Sequence, residues 1–476
     1  MQGDFLKGLV SCIRRYAGAD DTEYFLVLSE GGGKTKTAKL SSKFLMNAGE
    51  VVDIEVKEEV VERLIPLESA EDKETLTKLV EKKAASLLKE KVYCTGIEKL
   101  DAITNKLWGK LSKAMLLLAR KLVLGAPIVI RFHNDIDGAS GAYALYKAIK
   151  CALGSAEEFA YEPNIFWRMH GGVTYSREDA TCDTLVCNNF ECSEKPLLVI
   201  LDFGTTEESN AGIELMKDRF EVIWLDHHPM VEKFEGKKFE HYVNPWNFGG
   251  DSNYTAGFLT CIFAKSLADL DTKDIEVASL IGDYSEHAQP TTSSRKLAAL
   301  LDLLTSDTRL IAGSKGNLTP DSIETVVNDK KKSEELIAYA ENRVSEMLDI
   351  AINSVKVYKG GYANIYVADF ESMRGTDDKY PLPGRFASKL LGRIEELNKV
   401  PCILFLHFGY FISARMSKAL IPKVNLLSVL DEVRKAYPDN VDSSGGHSNA
   451  ASIKLKKDSM KKEVIKAIVE KLKENA

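Results

Sequence analysis

Three short apolar runs stand out along the chain: Ile128-Val129-Ile130, Leu197-Leu198-Val199-Ile200 and Val222-Ile223-Trp224-Leu225. Each gives way within a few residues to aspartate or histidine. Runs this short, bounded by polar residues, predict buried strands of a parallel sheet. Upstream, Tyr24–Leu28 and Val51–Val56 have strand character, and residues 1–67 read as a small β-rich unit. From Ser69 to Leu124, Lys and Glu mix with apolar residues at three and four spacing, which predicts helices. Downstream, a helix is expected from about Glu334 to Ile352. Strands are expected at Ala363–Val367, Cys402–Leu406 and Phe411–Ser413, and an amphipathic helix at Lys461–Leu472. The polar stretch Thr305–Ser333 reads as an interdomain connection.

The predicted fold class is therefore α/β: a parallel-sheet domain, a smaller α/β domain and a small N-terminal β-rich unit. The expected boundaries are 1–67, 68–310 and 334–476. The middle domain has a helical lead-in and a polar insertion or lid near 154–194, which includes His170. Gly31-Gly32-Gly33-Lys34-Thr35 invites a phosphate-loop reading, but the position five before Gly33 is Leu28, so a hairpin or exposed loop is expected.

A length of 476 residues is too great for one core and predicts two or three domains. No run reaches the roughly 18 apolar residues that span a bilayer. The start, Met1-Gln2-Gly3-Asp4, lacks a basic region followed by an apolar core, so a cytoplasmic protein with no membrane association is expected. Such a chain does not need disulfides. Of its eight cysteines, Cys182, Cys187 and Cys192 cluster at a spacing foreign to common zinc sites, and they read as surface-loop thiols. A net charge of −7 argues against broad coating of nucleic acid, though it leaves room for a narrow substrate channel. The last stretch, from Lys454, is locally basic, with eight lysines against four acids.

The residues after the apolar runs carry the chemistry. In order they are His133-Asn134-Asp135-Ile136-Asp137-Gly138, Asp202-Phe203-Gly204, Asp226-His227-His228-Pro229 and Gly282-Asp283. In parallel sheets reactive groups gather at the carboxyl ends of strands. Carboxylates and imidazoles converging on one edge would repel unless cations sat among them, which is the composition of a two-metal site. Such a site suits phosphodiester hydrolysis, because two divalent cations about 4 Å apart supply an activated water and neutralise phosphoryl oxygens. Hard carboxylates with a few imidazoles favour Mn²⁺, two per site, with Mg²⁺ as the second option. Gly138 is expected to support a turn that lets Asp135 and Asp137 reach one centre.

The order of these motifs resembles the DHH phosphoesterase superfamily, over roughly Ile128–Leu300. Farther on, Phe411-Ile412-Ser413-Ala414-Arg415 and Ser444-Gly445-Gly446-His447-Ser448-Asn449-Ala450-Ala451 resemble the two motifs of the DHH-associated (DHHA1) substrate domain. The resemblance implies that Asp202 bridges two metals. One metal would take His133, Asp135 and Asp202, and the other Asp137, Asp202, His227 and Asp283. His228, catalytic with Asp202, would lie behind the ligands or face the substrate, positioning the phosphate or serving the leaving oxygen, and Arg415, Gly445, Gly446 and His447 would hold the nucleotide across a cleft. Several branches place a histidine four residues before the first aspartate of the pair, but here that position is Arg131. The His-Asn-Asp-Ile-Asp-Gly form is similar to the archaeal RecJ-like branch. That branch implies an exonuclease on single-stranded DNA or RNA in replication or repair, with a helicase as partner. The alternatives are an oligoribonuclease or cyclic-dinucleotide phosphodiesterase, and a replication scaffold with little activity.

Overall fold

The structure, a computed structural model, describes residues 6–16, 22–31, 34–42, 44–89, 95–154, 163–311, 318–360, 363–374, 379–446 and 448–474. Two compact units divide the chain, Met1–Lys330 and Lys331–Ala476.

The first unit opens with β1 (Leu6–Arg15), β2 (Thr22–Gly31), β3 (Lys34–Ser42), β4 (Val51–Lys57) and β5 (Val60–Leu67). β2 pairs with both β1 and β3, β4 pairs with β1 and β5, and β3 meets β5 in parallel. The five strands thus close on themselves in the order of a Greek-key barrel of the OB type. Val10, Ile13, Leu26, Leu40, Val52 and Ile54 fill the interior. The glycine run joins the antiparallel pair β2–β3, with Gly32 and Gly33 outside the described residues. Two helices follow, α1 (Ala70–Ser86) and α2 (Glu98–Val123).

The central layer contains β6 (Ile128–His133), α3 (Ile136–Gly154), β7 (Ile165–His170), α4 (Arg177–Cys187), β8 (Phe190–Cys192) and β9 (Leu197–Leu201). It continues through α5 (Asn210–Met216), β10 (Glu221–Leu225) and β11 (His241–Val243). Its sheet runs β11-β10-β9-β6-β7, parallel throughout. Counted along the chain, this is the doubly wound order 2-1-3-4-5, whose switch point lies between β6 and β9. One face packs Val129, Leu198, Ile200 and Trp224 against Tyr175, Ala180, Ile213 and Met216 around α4 and α5. α2, α3 and α6 (Ala256–Lys265) contact the sheet strands as well. The unit closes with α7 (Lys273–Gly282), α8 (Thr292–Ser306) and α9 (Pro320–Asn328).

Three expectations are corrected here. The stretch near 154–194 is not an insertion or lid, because β7 is the parallel partner of β6 and α4 is its crossover helix. The N-terminal β-rich unit is present as expected, and its sheet continues into the central block. β8, from the central block, pairs antiparallel with β1 and sets Cys12 opposite Cys192, and the two cysteines form a disulfide. Cys192 is therefore a strand residue, while Cys182 and Cys187 lie on α4. The stretch Thr305–Ser333 is not a plain linker either, since α9 starts with a Thr319–Ser322 capping box and a proline. α9 is tied to α3 by Tyr146–Asp321 and Lys150–Glu324 bonds of 2.8 and 2.6 Å.

The second unit comprises α10 (Lys330–Ser354), β12 (Lys356–Lys359), β13 (Asn364–Asp369), α11 (Pro383–Asn398), β14 (Cys402–Phe408) and β15 (Phe411–Met416). It ends with α12 (Leu426–Ala436), β16 (Val441–Gly446), β17 (Ala450–Leu455) and α13 (Lys461–Glu474). The sheet order is β12-β13-β14-β15-β17-β16. Side chains alternate with the pleat: Ile365, Val367, Ile403 and Phe405 enter one core, and Tyr366, Ala368, Leu404 and Leu406 the other. No helix among the described residues is long and apolar enough to cross a membrane.

Gly204 shows how tightly the central edge is built. Its φ is +92°, and an added Cβ would lie 2.5 Å from Cζ2 of Trp224. Gly204→Ala is expected to destabilise the first unit by roughly 1–3 kcal/mol. Guanidinium unfolding followed by tryptophan fluorescence checks this, and an unchanged midpoint would contradict it.

Candidate metal centre

Every residue proposed from the sequence as a metal ligand falls at the carboxyl edge of the parallel sheet or at a helix end facing it. Asp135 follows β6 and caps α3, with Oδ1 accepting the Gly138 N–H at 2.9 Å. Its other oxygen meets Nδ1 of His133 at 2.7 Å. One carboxylate thus serves as both helix cap and candidate ligand. Gly138 lies inside α3 rather than at a turn, and its φ is not left-handed. Its role is close approach, since a Cβ there would sit 2.5 Å from the His133 carbonyl oxygen.

Asp137 is fully buried and accepts the N–H groups of Ala256 and Gly257 at 2.8 and 2.9 Å, together with the Ser279 hydroxyl. It therefore also caps the first turn of α6. Asp202, the residue after β9, is 1% exposed and adopts φ +68°. That left-handed conformation is uncommon outside glycine, though aspartate tolerates it better than most residues. The N–H of Asp202 donates to the Leu225 carbonyl at 2.9 Å, which fixes the turn against β10.

Both carboxylate oxygens of Asp202 are buried and have no hydrogen-bond partner among the described residues. Instead the imidazoles of His133 and His227 face them at 3.7 and 3.3 Å. His227 Nε2 also lies 3.0 Å from Asp283 and 3.8 Å from Asp137. The His227 Nδ1 is engaged by the Ser252 carbonyl at 2.9 Å, so Nε2 is the nitrogen turned toward the carboxylates. Candidate ligand atoms fall into overlapping groups, each within 4.8 Å: His133, Asp135, Asp202; Asp137, Asp202, His227, Asp283; and Asp202, His227, His228. Asp202 is common to all three.

Burial, with the Asp202 and Asp283 charges, pushes the Asp137 carboxyl well above the usual carboxylate range. Burial and Asp135 likewise raise Asp202. Burial disfavours charge on His227, yet Asp202 and Asp283 raise it well above its ordinary value. Orphaned carboxylate oxygens, crowded acids and oriented imidazoles form a donor set that fits hard divalent cations.

Reading the sequence alone assigned Asp226 no role. It is fully buried, and its Oδ1 accepts the His227 N–H at 2.8 Å and lies 2.7 Å from His228 Nδ1. Thr205 donates to its other oxygen. Burial pushes the Asp226 carboxyl up, but the His228 charge and hydrogen bond outweigh that and hold it well below its usual range. The signal was its place directly before the two histidines, from which one carboxylate can orient both. His170 ends β7 in register with His133 and stacks on Phe203 at 4.2 Å. It belongs to none of the ligand groups. Arg131 is a buried strut, bonded to Asp183 at 2.6 Å and Asp179 at 2.9 Å, and ties β6 to α4.

In the second unit, Arg415 lies on β15 with its guanidinium occupied. It donates to Ser388 Oγ, Ser413 Oγ, and the Ala414 and Gly384 carbonyls at 2.9–3.1 Å. Its fork is thus engaged by its own unit at the start of α11. Gly445 and Gly446 end β16. Gly446 has φ +125°, and a Cβ there would lie 2.4 Å from the Ala450 carbonyl oxygen. His447 lies outside the described residues.

The chain is 27% identical, over 392 residues, to the uncharacterized protein MJ1198 of Methanocaldococcus jannaschii, a match covering 71% of this chain. The chain spans about half the length of that curated relative, 50%. The fold is similar to the DHH domain of a protein described as a member of a family of ribosomal proteins. That likeness has a TM-score of 0.70 and 20% identity, and covers 84% of this chain and 98% of the other. RecJ of Thermus thermophilus in complex with Mn²⁺ aligns with a TM-score of 0.49 and 15% identity, over 77% of this chain and 58% of that one. Residues 127–313 match the DHH family, N-terminal domain.

Proposed function

We propose that this chain is a metal-dependent phosphodiesterase: a RecJ-like exonuclease that digests single-stranded DNA or RNA from an end and releases mononucleotides. The observation that carries the reading is Asp202, a buried carboxylate without a hydrogen-bond partner among the described residues, shared by the groups of candidate ligands. We assign one Mn²⁺ or Mg²⁺ to His133, Asp135 and Asp202, and another to Asp137, Asp202, His227 and Asp283. Bound there, such ions supply an activated water and neutralise phosphoryl oxygens. The protein fixes their positions in advance: Asp135 and Asp137 are pinned by helix N–H groups, and His227 by Ser252. We assign His228, 35% exposed at its side chain and tethered at Nδ1 by Asp226, to serve the phosphate or the leaving oxygen. Asp226 raises the His228 imidazole against the effect of burial, which favours the protonated form that can donate. By resemblance, Gly445, Gly446 and His447 hold the nucleotide, and Arg415 would have to exchange its bonds to Ser388 and Gly384 to join them. A replication or repair helicase is the proposed partner.

Asp202→Asn is the sharpest test, because asparagine keeps the shape and tolerates a positive φ. Hydrolysis of a linear single strand in Mn²⁺ should fall by roughly 10³-fold, and bound Mn²⁺ should fall with it by elemental analysis. A variant retaining more than about a tenth of the wild-type rate would remove the bridging role. Without metal, the same variant should melt no lower than wild type, since it relieves crowding among buried carboxylates. A lower melting temperature would contradict that account.

Activity should return to chelator-stripped protein with Mn²⁺ or Mg²⁺ and not with Zn²⁺ alone, because the donor set contains no thiolate. Full activity with zinc only would refute the assignment.

A linear single strand should be degraded, and a covalently closed single-stranded circle or a blunt duplex spared. The net charge of −7 leaves little for the many phosphate contacts that duplex binding requires. Comparable cleavage of the circle would overturn the exonuclease reading, and preference for dinucleotides over decamers would favour an oligoribonuclease.

A further inference from the structure

Two large aromatic side chains stand exposed beside the candidate ligands. Trp246 is 41% exposed and Tyr284, the residue after Asp283, is 53% exposed. Neither lies there by looseness. The Trp246 indole N–H donates to the carbonyl oxygen of His227 at 3.1 Å, and the Ser252 hydroxyl donates to that same oxygen at 3.0 Å. Trp246 also follows Pro245 in a tight turn, where the Asn244 side chain accepts its N–H at 3.0 Å. Tyr284 is held at φ +53°, a left-handed conformation that costs of order 1 kcal/mol or more for a non-glycine residue. The two loops are laced together: Ser285 Oγ donates to the Asn253 carbonyl at 2.7 Å, and the Glu286 N–H to the Asn253 side chain at 3.0 Å. Along the Trp246 loop, Lys106 and Lys110 donate to the carbonyls of Phe248 and Tyr242 at 3.3 and 3.2 Å. Two cationic ends are thereby placed along the loop that carries the indole.

An indole whose N–H is fixed to the backbone of a candidate ligand, but whose ring is open to solvent, is costly as core packing and useful as a flat surface. A nucleobase is the flat apolar partner that would be carried with a phosphate held at the ligands, and base–aromatic stacking is insensitive to base identity. From this we infer that Trp246, with Tyr284 on the adjoining loop, is a stacking platform for an unpaired nucleobase of the substrate, with Lys106 and Lys110 beside its backbone. The inference rests on the proposed nucleotide substrate and deepens it. A platform that needs an unstacked base would exclude an intact duplex without reading sequence. Trp246 and Tyr284 are positioning residues here and take no part in bond breaking.

The test uses the full chain with Mn²⁺ and two probes, adenosine monophosphate and ribose 5-phosphate, which share sugar and phosphate and differ in the base. Wild type should bind the first at least about 5-fold more tightly by calorimetry. Trp246→Ala should shrink that preference to within about twofold, and Tyr284→Ala should reduce it in the same direction. Trp246→Phe keeps the ring and loses the N–H, so it should retain the preference. Adenosine monophosphate should quench indole fluorescence in wild type and not in Trp246→Phe, which locates the base at this ring among the four tryptophans. If Trp246→Ala keeps the full preference, or Trp246→Phe loses it as Trp246→Ala does, the platform is overturned, the latter because only the bond to His227 would then matter. Single-strand hydrolysis measured in parallel separates the two readings. Hydrolysis without base preference overturns the platform alone. Preference and quenching without hydrolysis support the platform and remove the nuclease.

Discussion

The site depends on one carboxylate placed where it cannot satisfy itself. Asp202 sits at the carboxyl end of β9, beside the switch point of the doubly wound sheet, in a left-handed conformation and almost fully buried. A buried carboxylate without a hydrogen bond among the described residues is expensive, and so is a positive φ away from glycine. The surrounding structure over-determines it: the Leu225 carbonyl takes its N–H, and Trp224 packs against the backbone at Gly204. The strand order then brings β6, with His133 and Asp135, directly beside β9, with Asp202. A topology that separated β6 from β9 would scatter the same residues.

The other acids meet that cost through helix termini. Asp135 caps α3 and Asp137 caps α6, so each carries fixed N–H donors while presenting an oxygen toward the centre. For these residues the capping and ligand roles are not competitors, because each carboxylate oxygen carries two lone pairs. Asp226 works differently. It holds both histidines of its triplet by backbone or ring nitrogens, and so helps to decide which way the imidazoles face.

Much of this was legible because it is local. Apolar runs ending in Asp or His mark strand ends, and the three motifs that follow them meet Asp283, from the end of α7, in the structure. What escaped was long-range or marginal in pattern. β7, Ile165-Phe166-Trp167-Arg168-Met169-His170, is only half-buried along its length, so it lacks the apolar signature of β6 and β9. The Cys12–Cys192 pairing spans 180 residues, and nothing near either cysteine signals it. α9 hides in a Gly- and Asp-rich stretch, and only its Thr-Pro-Asp-Ser start could have marked it as a helix. Arg415 carries the right chemistry for phosphate, yet its donors are taken by Ser388, Ser413 and Gly384, an outcome no motif can register.

Strain and exposure at the centre follow one logic. Asp202 and Tyr284 hold left-handed backbones, Tyr284 directly after the candidate ligand Asp283, and Trp246 hangs from the carbonyl of another, His227. Folding alone would favour a glycine at each bend and a smaller side chain in place of the indole. Stability is therefore spent where the sheet edge, the acids and the exposed rings meet, while the layers beneath are ordinary apolar packing. A site that held only cations would need the acids and histidines and nothing more. The exposed Trp246 and Tyr284 are the features on which the proposed nucleobase platform rests.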